Sequence, residues 1–128
     1  MNPYGDVISE HSRHPRNYGS LADPDIRHED VNPFCGDRVR IELALGPDET
    51  VREARFQGDL CIIAKAASSL VTEMVPGLAL ENIADLPEQQ LLAALHAEIQ
   101  PARLNCALLP LRVLRAGVDA YRQSRRTQ

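Results

Sequence analysis

Three residues in this chain carry thiols: Cys35, Cys61 and Cys106, set 26 and 45 positions apart. No Cys-x-x-Cys pair is present. An odd number of cysteines argues against a disulfide framework in a reducing compartment. Three readings are open: thiols packed in a core, a metal site, or a reactive nucleophile. Each cysteine falls at a junction between elements. Cys35-Gly36-Asp37 lies in the loop entering a strand. Glycine there permits a tight turn, so that a thiol and a carboxylate two positions apart converge. Cys61 follows Gly58-Asp59-Leu60 and precedes a helical pattern; Cys106 follows Asn105, a residue suited to cap a helix, and opens the last one. A helix start favours thiolate over thiol, and thiolate is the form that binds metal or attacks sulfur. Three thiolates with the Asp37 carboxylate make a tetrahedral donor set for zinc, or for part of an iron–sulfur cluster.

The hydrophobic pattern says which elements must hold these groups. Tyr4, Val7, Ile8 and His11 share one face of a short N-terminal helix, which His14-Pro15 ends. Residues 15–37 are rich in Pro, Gly, Asn and Asp and read as loop, with a short edge strand over Arg27 to Val31. From Arg38 to Leu45 the alternation is strict, Val39, Ile41, Leu43 and Leu45 against Arg38, Arg40 and Glu42, which predicts a half-buried strand. A turn at Gly46-Pro47-Asp48-Glu49 leads into a second strand, Val51 to Gln57, and the two make an antiparallel hairpin. Ile63, Ala66, Ala67, Leu70, Val71 and Met74 form the apolar stripe of a helix over Ile62 to Val75. Further helices are predicted over Pro87 to Ile99 and from about Asn105 to Tyr121 or beyond. The fold class is therefore α+β, a small antiparallel sheet of about three strands with four to five helices.

Composition narrows the function. The 128 residues are 44% hydrophobic and 25% charged, an ordinary globular balance in one domain, 1–128. The net charge of −4 argues against a broad nucleic-acid footprint, and no apolar run approaches a membrane span. The first ten residues lack the basic start and apolar core of a signal peptide, so a cytoplasmic protein is expected. Thirteen of the fourteen Lys and Arg residues are arginine, the exception being Lys65, and six arginines gather in residues 103–128. Arg115, Arg122 and Arg126 fall on one helical face and form a candidate docking stripe for an acidic partner. None of the four histidines stands beside a cysteine. Ser68, Ser69 and Thr72 read as helix-packing residues, since no base stands at a recognisable spacing.

Four segments together carry a resemblance. Asn32-Pro33-Phe34-Cys35-Gly36-Asp37 resembles the N-P-x-C-G-D motif of iron–sulfur cluster assembly scaffolds, the NifU N-terminal, IscU and SufU-like family. The stretch from His11 to Gly19 is similar to that family's H-x-x-x-P-R-N-x-G signature. Gly58 to Cys61, followed by Ala66 to Glu73, resembles its second-cysteine segment, and Arg103-Leu104-Asn105-Cys106 its third. The matches run in order over nearly the whole chain.

The resemblance implies a SufE/NifU-like fold and a scaffold, not an enzyme, that builds a transient [2Fe–2S] cluster on Cys35, Cys61 and Cys106. Sulfur would come from a pyridoxal-phosphate cysteine desulfurase, and the cluster would pass to recipient apoproteins. Asp37 takes the family's aspartate position, where a carboxylate is a harder and weaker ligand for cluster iron than thiolate. Cys106 is the expected sulfur acceptor. Two departures stand out. IscU-type scaffolds carry histidine before the third cysteine, where this chain has Asn105, and their L-P-P-V-K chaperone segment is here Ile99-Gln100-Pro101-Ala102-Arg103. Arginine at 103 without the histidine is similar to the SufU subgroup. The alternative is therefore a zinc-dependent sulfurtransferase that relays sulfur to a carrier, with zinc on Cys35, Asp37 and Cys61. The 45-residue gap before Cys106 lacks the insertion that SufU proteins have.

Overall fold

The computed structural model describes residues 4–33 and 36–126. Three strands make one antiparallel sheet in the order β1 (Ile26–Val31), β2 (Arg38–Leu45), β3 (Val51–Asp59). The helices are α1 (Asp6–Arg13), α2 (Ile62–Met74), α3 (Leu80–Ala84), α4 (Glu88–Ala94) and α5 (Leu104–Arg126), with a 3₁₀ turn at Pro101–Arg103 leading into α5. The expected α+β architecture is the observed one. No helix among the described residues is long and apolar enough to cross a membrane.

β2 is the central strand because its alternation buries Val39, Ile41 and Leu43 against the helices. With Phe56, Val71 and Leu111 they form the core between the sheet and the α2 and α5 layer. The sequence reading leaves the other face of β2 polar and half-exposed, but Glu42 is buried on it. The segment between α1 and β1 crosses that face. It donates the Leu21 N–H to Glu42 Oε1 at 2.7 Å, while Arg40 Nε stands 3.3 Å from the second carboxylate oxygen. Asn17 and Ser20 of the same segment accept from Arg55 and Gln57 of β3. A side-chain period of two identifies one face and is silent about what covers the other.

The helices depart from expectation in two places. The helix expected over Pro87 to Ile99 is only the seven residues of α4, since His96 takes a left-handed φ of 52° and ends it. The five-residue α3 is too short to show a period. α5 starts one residue earlier than predicted and runs to Arg126 with Pro110 inside it, four positions beyond Cys106. It packs closely on β1 because Gly117 has no side chain: a Cβ there would stand 2.9 Å from the His28 Cβ.

α1 docks on α2 through polar groups as well as the fully buried Ile8. His11 Nδ1 lies 2.7 Å from Ser69 Oγ, which also accepts the Arg16 N–H, and His11 Nε2 lies 3.8 Å from Glu73. Burial first, then the Arg16 charge, hold the His11 imidazole below its usual pKa, against the pull of Glu73 and Glu10. The unfolded chain therefore takes up a proton before the folded one does. Stability is full above the ordinary histidine pKa and falls as pH drops below it. Denaturant unfolding between pH 7.5 and 5 should show this decline, and His11→Gln should flatten it.

Candidate functional site

The hairpin register creates the site. Arg38 pairs with Asp59, so the residue before β2, Asp37, meets the residues after β3, Leu60 and Cys61. The approach is close at Gly58, where a Cβ would fall 1.9 Å from the Arg38 carbonyl oxygen. The turn before Asp37 is closed at its described ends by the Asn32 N–H on the Asp37 carbonyl (2.7 Å) and the Gly36 N–H on the Asn32 carbonyl (2.8 Å). Gly36 has a φ of 76°, the left-handed geometry expected of glycine in that turn.

Cys61 is the N-cap of α2. Its sulfur accepts the Ala64 N–H at 3.4 Å, and its own N–H donates to Asp37 Oδ1 at 2.9 Å. Cys106 lies in the first turn of α5, 2% exposed, while Cys61 is half-buried. The carboxylate of Asp37 (4% exposed) and the sulfurs of Cys61 and Cys106 bring one ligand atom each to within 4.8 Å of one another. Ligand atoms around a tetrahedral ion with bonds of about 2.0–2.3 Å stand roughly 3.3–3.8 Å apart. The triangle therefore fits a metal ion after a small contraction. The donors suit it as well, with two soft sulfurs and one hard oxygen.

Cys35 lies outside the described residues. Asn105 is not a cap: α5 begins at Leu104 after the 3₁₀ turn, and the exposed Asn105 accepts from Arg112 Nη1 at 3.0 Å. Among the described residues no histidine belongs to the ligand cluster. Lys65 Nζ sits 5.9 Å from the Tyr18 ring centroid. The arginine stripe on α5 is broken up. Arg115 Nη2 donates to the Leu86 carbonyl and Nη1 lies 3.9 Å from Glu88, while Arg122 lines a cleft with Asp48, Glu49 and Glu81.

Sequence reasoning used Arg103 only as a mark of subgroup. In the structure it ends the 3₁₀ turn that leads into α5, half-buried, with a buried Nε. Hydrogen bonding and attraction to Cys61, ahead of those to Cys106, hold Arg103 above the usual arginine pKa. Its spacing of three before Cys106 on a helical start is the one sequence signal that foretold this.

Two substitutions test this construction. Asp37→Asn keeps an acceptor for the Cys61 N–H, whereas Asp37→Ala removes it and should cost about 1–3 kcal/mol more in thermal unfolding. Both should weaken zinc binding in a chelator competition. Gly58→Ala should force the hairpin end apart, cost about 1–3 kcal/mol, and lose zinc binding with the strands still formed.

The chain is similar to proteins of known role. The family model for the NifU-like N terminal domain matches residues 3–128. The iron-sulfur cluster assembly scaffold protein IscU of Rickettsia prowazekii is 31% identical over 128 residues, covering 95% of this chain and 94% of the relative. IscU of Azotobacter vinelandii is 30% identical over 125 residues, with 95% and 96% covered. Among solved structures, the N-terminal part of a nitrogen-fixing NifU-like protein from Brucella abortus superposes with a TM-score of 0.77 at 21% identity, covering 94% of each chain. A putative iron-sulfur cluster assembly scaffold protein for the SUF system from Fervidobacterium islandicum gives 0.74 at 21% identity, with 90% of this chain and 96% of that one covered. These two likenesses establish the fold.

Proposed function

We infer the function from one premise: the chain belongs to the NifU-like N-terminal domain family. It is an iron–sulfur cluster assembly scaffold, as its IscU relatives are named. The observation that carries this reading to residues is the convergence of Asp37, Cys61 and Cys106 from a strand start and two helix starts.

In this reading Cys35, two positions before Asp37, completes a set of three thiolates that hold a [2Fe–2S] cluster. Asp37 is the fourth donor, and its harder oxygen releases iron more readily than a fourth thiolate would. A scaffold exchanges with a sulfur donor and with recipients. The donor is a pyridoxal-phosphate cysteine desulfurase, and the recipients are apoproteins. Cys106 accepts sulfur when its thiolate attacks the outer sulfur of a donor persulfide; one sulfur moves, the donor thiol leaves, and no net oxidation occurs. A second reading is favoured by Asn105, whose side chain is turned to Arg112 and supplies no imidazole. It is a zinc-dependent relay, in which the same donors hold zinc and sulfur passes through Cys106 to a carrier.

Anaerobic reconstitution with ferrous iron, cysteine and a desulfurase tests the choice. A [2Fe–2S] absorption spectrum, with matching iron and sulfide content, is expected, and should be lost in Cys35→Ser, Cys61→Ser and Cys106→Ser. Absence of any cluster, with zinc held tightly and desulfurase turnover raised, would establish the relay instead. Asp37→Ala should slow cluster hand-on to an apoprotein; faster release would remove the labile-ligand role.

A further inference from the structure

The two edges of the sheet differ. The outer edge of β3 is covered by the segment after α1: the Phe56 N–H donates to the Asn17 carbonyl at 3.0 Å, and the Phe56 carbonyl accepts the Gly19 N–H at 2.8 Å. The outer edge of β1 has no such cover among the described residues. Ladder parity says which of its groups are free. The Asn32 N–H donates to the Asp37 carbonyl at 2.7 Å, and the β1–β2 register runs on from that pair to Ile26 with Leu43. In an antiparallel ladder alternate residues bond the neighbouring strand. The even positions of β1 therefore bond β2, and Arg27, Glu29 and Val31 turn their N–H and C=O groups outward. The same alternation, carried through β2 to β3, turns Phe56 outward, where the covering segment meets it. Arg27, Glu29 and Val31 are exposed, and of their outward groups the Val31 N–H is answered by the Asp30 carboxylate at 2.8 Å. α5 backs the strand at Gly117, so this edge is held in place.

Charges on an edge ordinarily keep other strands away. The charges of β1 do so selectively. Ile26 and His28 face α5, and Arg27, Glu29 and Val31 share the opposite face. None of the ion pairs among the described residues includes Arg27 or Glu29. A second copy related by a two-fold axis presents the same strand reversed, with the same face of the sheet up. Odd positions then oppose odd positions. Centred on His28, the pairing sets Arg27 of each copy across from Glu29 of the other, and each such pair exchanges both backbone N–H···O bonds. It does not need the Val31 N–H. Centred on Glu29, the pairing would set the two Glu29 carboxylates against each other and would need that N–H. Opposite charges directly across a ladder stabilise it and like charges destabilise it. The strand is thus complementary to its own reversed copy in one register.

We propose that β1 is a self-recognition edge: two copies of this chain pair through β1, centred on His28, into one continuous antiparallel sheet. The surface is small, so the dimer is weak and forms as concentration rises. Antiparallel pairing sends the Asn32 ends of the two strands in opposite directions, so the two Asp37 turns lie at opposite ends of the joined sheet.

The test is sedimentation velocity of the whole chain at low salt, with reductant and chelator present, in a series reaching about 1 mM. The parent chain should pass from monomer to dimer. Arg27→Glu and Glu29→Arg should each associate about tenfold or more weakly, because each sets like charges opposite twice. The double exchange, Arg27→Glu with Glu29→Arg, keeps the net charge and should associate as the parent does. Glu29→Pro removes an outward N–H at no cost to the β2 ladder, and should prevent pairing with melting unchanged. A chain that stays monomeric throughout would overturn the proposal. So would a dimer indifferent to the single reversals, or losses that the double exchange does not restore. Should a variant fail to fold, amide hydrogen exchange of the parent decides: slowing at Arg27 and Glu29 as concentration rises supports the pairing, and a constant rate overturns it.

Discussion

The hydrogen bond from the Cys61 N–H to Asp37 Oδ1 joins two things that the chain could otherwise place independently. One is the turn that enters β2; the other is the first residue of α2. The bond needs the β2–β3 hairpin to close to its last pair, Arg38 with Asp59, and that closure needs Gly58. Once it is made, a carboxylate and a thiol are set side by side at the end of the sheet. α5 then has only to bring Cys106 down beside them. Its packing on β1, close enough that Gly117 cannot carry a side chain, and its contacts with α2 fix where its first turn lies. The ligand triangle is thus a consequence of sheet register and helix packing.

Much of this frame is legible in the residues themselves. Strict alternation marks β2 from Arg38 to Leu45, and the apolar stripe from Ile63 to Met74 marks α2 to within a residue. The three cysteines and Asp37 stand out as chemistry held at junctions, and two of the cysteines and the aspartate converge among the described residues. What is not legible has physical reasons. Glu42 looks like a solvent-facing charge until the α1–β1 segment crosses over it, and no local pattern encodes that crossing. Asn105 looks like a cap because the 3₁₀ turn before it, which moves the start of α5, has no strong signature. Arg115 looks like part of an open stripe because its acceptor, Leu86, belongs to a distant connector.

The same contrast separates two kinds of polar group. Glu42 is buried and answered by Arg40 and a backbone N–H, so its charge is satisfied within the fold. Asp37, Cys61 and Cys106 are brought together, so the fold concentrates donor atoms there. Such a cluster of electron-rich donors favours taking up a positive charge. That is the electrostatic condition for a site that binds a metal ion.

Pro110 gives this site an uneven stiffness. A proline has no N–H, so at Pro110 the α5 ladder loses the donation that an unbroken helix would make there. Cys61 is half-buried, whereas Cys106 in the first turn of α5 is enclosed. That missing donation is worth about 1 kcal/mol of net helix stability. α5 is therefore long and well packed along its length, with a weaker first turn where Cys106 lies.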